Sequence, residues 1–174
     1  MPGEIKLQYV ASVAPTVTNL HSLASSQDWT AGWSSASIVN TTNEYLDYLV
    51  AGTFTTHASN RQAGSINVYI VAAMNDTPNY PAASSGAWGT EGAVAFVDTE
   101  QRDSAVRLLA SITVDAGASE VYSFPPTSVA ALFGGVIPPA FSIFVAQNAS
   151  TTTTAGLAAA GSAIHYTPIN AQYT

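Results

Sequence analysis

The chain has 174 residues, 47% of them hydrophobic and only 9% charged, with 4 Lys and Arg against 11 Asp and Glu, a net charge of −7 and no cysteine. Its cations, Lys6, Arg61, Arg102 and Arg107, form no basic stripe that could neutralise a row of phosphates, so nucleic-acid binding is not expected. The missing cysteines exclude a disulfide framework and any Cys-based zinc site, and solubility must come from Ser, Thr, Asn and Gln, whose desolvation costs less than that of ions and suits permanent assembly.

The first ten residues, MPGEIKLQYV, lack an apolar core of signal-peptide length, and no run approaches the ~20 apolar residues of a membrane span, so synthesis in a cytoplasm and no membrane partner are expected. Residues 1–16 read as an N-terminal arm. Ile5, Leu7 and Tyr9 alternate with polar residues between Pro2 and Pro15, a pattern that suits a strand added to a neighbour's free sheet edge and mobile when alone. Residues 17–174 read as one domain, since no charged linker or fixed-period repeat divides them.

Within that domain the periodicity predicts strands over 17–23, 35–39, 45–55, 65–73, 93–97, 106–114, 141–146 and 158–166, separated by Gly, Pro, Asn and Asp clusters. The run SINVYIVAAM is apolar on both faces and is expected to be a central strand. In the next long run Val106, Leu108, Ala110, Ile112 and Val114 share one face. The predicted core comprises Ile66, Val68, Ile70, Leu108, Ile112, Ile143 and Val145. Between strands, Thr127 or Ser128 can cap a short helical turn over 127–133 that carries Val129, Leu132 and Phe133 inward. Gly134 then supplies a left-handed cap, and Pro138 and Pro139 stop any continuation. The fold class is all-β: an antiparallel β-sandwich, jelly-roll-like, with that one helical turn.

No motif carries catalytic chemistry. The Gly134-Gly135 pair lacks the Lys of a phosphate-binding loop. His21, His57 and His165 have no metal-ligand spacing, and no G-x-S-x-G elbow occurs. Glu44 with Asp47, and Glu91, Asp98, Glu100 and Asp103, are acidic candidates for acid–base work, but the segment from Asp98 to Asp103 reads as a solvated turn partly balanced by Arg102. Neither catalytic residue, cofactor nor metal is expected. The aromatic residues Trp29, Trp33, Tyr80 and Trp88 lie in polar segments, where they could stack on a sugar or anchor a core or a subunit interface. The patterns Asn40-Thr41-Thr42 and Asn148-Ala149-Ser150 match N-glycosylation acceptors and are expected to be silent without a secretory signal.

The string SVAALFGGVIPPAFSIFVAQNAS, followed by GLAAAGSAIHYTPIN, resembles the C-terminal half of small virion structural proteins of tailed bacteriophages, and AGSINVYIVAAMNDTPNYP and NEYLDYLVAGTFTT resemble that family too. The resemblance implies a non-enzymatic capsid decoration or cement protein, bound to the major capsid protein on the outer surface of the head. With the low charge it also implies a homo-oligomer, a trimer being the expected form. The alternative is a tail or head-fibre-type module that binds a carbohydrate receptor.

Overall fold

The computed structural model describes residues 4–42, 44–80, 84–150 and 155–173. Two antiparallel sheets pack face to face. The smaller has four strands in the order β1 (Ile5–Tyr9), β11 (Ala163–Tyr173), β4 (Asp47–Thr55), β9 (Val121–Ser128). The larger runs β6 (Ser84–Ser85), β7 (Gly92–Phe96), β2 (Ala31–Ser34), β10 (Ala140–Gln147), β5 (Gly64–Ala72), β8 (Arg107–Val114), with β3 (Ile38–Val39) also paired to β10. Sheets of four and seven strands are less equal than those of an eight-stranded jelly roll.

Strict alternation places the core. In β4, Tyr48, Val50 and Phe54 point inward and are buried, as are Ile164 of β11 and Phe124 of β9. They meet Ile66, Val68 and Ile70 of β5 and Phe141, Ile143 and Val145 of β10, all fully enclosed. A second cluster lies on the opposite face of the larger sheet, where Tyr69, Val71, Phe144 and Ala146 are joined by Val94 and Phe96 of β7 and packed with Tyr80 and Val106 from outside the strands. That second layer explains why every residue of β10 is buried and why β5 is apolar on both faces.

Several expectations are corrected. Residues 17–23 form turns that drop Leu20 and Leu23 into the core, because the segment pairs with no strand along its length. Arg107–Val114 is a strand, but its register against β5 shifts between Val68 and Tyr69. The extra residue turns Leu109 inward and leaves Leu108 half exposed, so Leu108 leaves the predicted core, while Ile112, in regular register on the edge strand β8, packs on the core only partly buried. The segment after Asp98 is the helix α1 (Thr99–Ala105): Asp98 Oδ1 accepts from Gln101 N–H at 2.8 Å, a side-chain N-cap. Arg102 is buried rather than solvated, over the Tyr69 ring and bonded to Asp103 and the Asp28 carbonyl.

The helical turn is shorter than predicted. It is a 3-10 turn, Ala130–Phe133, following a strand that reaches Ser128; Ser128 Oγ accepts from Ala131 N–H and Asp47 Oδ1 from Ala130 N–H. Gly134 ends it in the left-handed region, φ 71°, as its lack of a Cβ permits. The arm is not free: residues 5–9 pair with the chain's own β11, from Ile5 opposite Tyr173 to Tyr9 opposite Ile169. Bonds from Val10 N–H to Pro168 O and from Val13 N–H to Tyr166 O continue the attachment. Among the described residues, no helix is long and apolar enough to cross a membrane.

Candidate functional site

Three surface features and one buried aromatic set could carry function. The aromatic set is resolved by packing. Trp33 is fully enclosed in the main core, and Tyr80 is buried with its hydroxyl bonded to Ser37 and Ser142. Trp88 is half-buried and meets Phe144 edge-on with centroids 5.8 Å apart, while Trp29 packs on the same cluster and donates its Nε1–H to Ser65 O. Tyr80, Trp88 and Trp29 belong to the second cluster on the far face of the larger sheet, whereas Trp33 belongs to the core between the two sheets. Trp33 and Tyr80 therefore offer no face to a sugar, because the hydrophobic gain of enclosing a large ring outweighs leaving it in a polar loop.

Glu91 joins distant segments. Its Oε1 accepts from Trp33 Nε1–H and from the Asn19 backbone N–H, each at 2.7 Å, while Oε2 accepts from the Asn19 side-chain amide. Partial burial pushes the carboxyl upward in pKa, but the hydrogen bonds from Trp33 and Asn19 together outweigh it and hold Glu91 below its ordinary value. Both oxygens are engaged in fixing loops, which leaves Glu91 a clamp rather than a general acid. Beside it lies an open groove of about 370 Å³, lined by Asn19, Ser22, Ser25, Gly32, Ser85 and Ala95 among others.

A second acidic group surrounds Tyr122, whose hydroxyl lies 2.8 Å from Asp115 Oδ1 and 2.6 Å from Glu120 Oε2. The bond to Glu120 leads in pushing the phenol up to about 12, and the bond from Tyr122 leads in lowering Asp115. Glu120 also crowds the place a Gly117 side chain would need, so the loop is a compact turn closed by its own carboxylates. Asp47 is likewise structural, accepting from Ser128 Oγ at 2.6 Å and from two backbone amides. Glu44 lies at another open pocket with Asn40, Thr41 and Asp76, apart from the Glu91 clamp. Asp98 caps α1 and Asp103 holds Arg102, so the acidic candidates are not drawn to one cleft.

The histidines are dispersed. His21 Nε2 lies 3.1 Å from Ser162 O, His57 Nδ1 accepts from the Ser59 and Asn60 amides, and His165 is exposed on β11. Among the described residues no three His, Cys, Asp or Glu side chains group as metal ligands would. Asn40 is buried, with its amide bonded to Tyr45 at both N–H and carbonyl and its oxygen accepting from Tyr48, so it is committed to packing.

The remaining surface feature is the arm itself. Ile5, Leu7 and Tyr9 are 75%, 63% and 63% exposed, and Tyr173, opposite Ile5, is 74% exposed. Their register with Ile169 and Asp47 puts them on the outer face of the smaller sheet, while Lys6, Gln8, Asn170 and Gln172 occupy the other face. The result is a two-stranded ribbon, apolar on its outer face and polar on the reverse, at the sheet's edge. The alternation of Ile5, Leu7 and Tyr9 in the sequence is that of one exposed strand face. Compared with known proteins, the chain matches no family model, no curated protein and no solved structure.

Proposed function

We propose that the protein is a non-enzymatic structural component of a tailed-bacteriophage virion, a decoration or cement protein that binds the major capsid protein on the outside of the head as a homo-oligomer, a trimer in the simplest arrangement. The observation that carries this reading is the exposed apolar ribbon on a sandwich that otherwise presents little charge. Such a surface binds through shape, apolar contact and backbone hydrogen bonds, which salt screens far less than ion pairs. The sequence resemblance to phage virion proteins supplies the class of partner.

The mechanism is linkage. A protein that binds the assembled shell and not the free subunits stabilises the shell by its binding free energy at every occupied junction. An oligomer that touches several capsid subunits at once holds on through effective concentration, so each contact can be weak. The test is to add the purified protein to heads lacking it. Saturable binding at regular outer-surface positions, with a higher temperature of head disruption, is the expected result. Location in the tail, or no binding to heads, would overturn it.

A second reading rests on the open groove beside Glu91, whose Asn and Ser lining could pair with sugar hydroxyls. A receptor-binding module predicts saturable glycan binding by the isolated chain, lost in Asn19→Ala.

A further inference from the structure

The ribbon's outer strand has a free edge, and its pattern is specific. Val10 N–H donates to Pro168 O at 2.9 Å, so Val10 turns its backbone polar groups toward β11. Successive residues of a strand direct these groups to opposite sides, which sends those of Lys6 and Gln8 toward β11 and those of Ile5, Leu7 and Tyr9 outward. Three donors and three acceptors thus line an edge whose side chains form an exposed apolar stripe.

We propose that this edge pairs with the same edge of a second copy, antiparallel about a two-fold axis through Leu7. Leu7 then faces the second copy's Leu7, Ile5 faces its Tyr9 and Tyr9 its Ile5, and all six outward donors are satisfied. The aromatic and β-branched pairing is favourable across antiparallel strands. Charge agrees: Lys6 stands opposite Gln8, whereas an axis through Lys6 would oppose two lysines. The other edge of the same sheet offers no comparable partner, because β9 carries Pro125 and Pro126, which have no N–H to donate. A head-to-tail ring through β1 and β9 is thereby disfavoured and the two-fold joint is left. It stands on the ribbon alone, independent of placement on a capsid and of any threefold contact.

The chain has no cysteine, so single substitutions give a clean readout. Opposed residues of a hydrogen-bonded antiparallel pair have Cα atoms about 5.5 Å apart, close enough for a short bifunctional thiol reagent, whereas their Cβ atoms stand wider than the roughly 3.5–4.5 Å an unstrained disulfide needs. Leu7→Cys in the full chain should therefore be coupled to a covalent dimer by such a reagent. Ile5→Cys should not, since its two copies lie four residues apart along the strands, about 13 Å. Both positions are exposed, so neither change threatens folding. As a second measurement, the Ile5, Leu7 and Tyr9 amides should exchange more slowly as concentration rises, and those of Lys6 and Gln8 should not change. Equal cross-linking at both positions, preferential cross-linking at Ile5→Cys, or exchange at Leu7 that ignores concentration would each overturn the proposal.

Discussion

Glu91 and Gly134 show what single residues contribute through quite different physics. Because Glu91 has its carboxyl lowered below the ordinary 4.5, the folded state binds fewer protons than the unfolded one near that pH. Its contribution is present above about pH 4.5 and is lost as pH falls through the lower folded value. Thermal unfolding followed from pH 7 to pH 3 should show a falling midpoint, and Glu91→Gln should flatten part of that fall while costing about 1 kcal/mol or less at neutral pH, since the site is partly solvated. An unchanged acid limb in the variant would remove the clamp. At Gly134 nothing lies within 4 Å of where a Cβ would project, so the only obstacle to a side chain is its φ of 71°. Gly134→Val should cost about 1–3 kcal/mol in denaturant unfolding through backbone strain alone. Gly134 was legible from its place before a Pro pair; the Glu91 clamp was not, because its partners Asn19 and Trp33 lie 72 and 58 residues away.

At the level of elements, long strands with a doubly apolar or strictly alternating pattern were readable: β4, β5, β7 and β10 lie within a residue or two of their expected bounds. What escaped was decided by tertiary context. β9 contains Pro125 and Pro126, which argue against a strand locally, yet it sits at a sheet edge where a missing N–H is tolerated. The slip in β8 is invisible to periodicity because a bulge resets the phase, turning Leu109 to the core in place of Leu108. β2 was missed as a strand because Gly32 weakens its pattern, and packing explains the glycine: a Cβ there would lie 2.1 Å from Val145 O. Gly32→Ala should therefore separate β2 from β10 and destabilise the fold by more than a helix or turn substitution of the same size. Ile143→Ala, in the fully enclosed centre of β10, should cost about 2–5 kcal/mol by transfer and cavity terms. Equilibrium urea unfolding measures both, and a value for Ile143→Ala near that of an exposed-site control would place the core elsewhere.

For the whole molecule, the apolar ribbon and the core are separable in space. None of the buried residues of either hydrophobic cluster comes from residues 5–9, and β1 meets the remainder chiefly through β11. Removing residues 1–16 takes away one edge strand and the backbone bonds from Val10 and Val13, but leaves the two sheets with their facing side chains intact. The truncated chain should therefore still unfold cooperatively, with a modest drop in midpoint and unchanged near-ultraviolet signal from the enclosed Trp33. Its deletion also exposes the β11 edge, where Pro168 interrupts the row of donors, so the new edge is a poorer template than the one removed. If the ribbon is the contact element of a decoration protein, the truncation should lower occupancy on heads while the sandwich remains folded. Heads decorated to the same density by the truncated chain would show that attachment runs through another face, and loss of cooperative unfolding would show instead that the arm belongs to the folding unit.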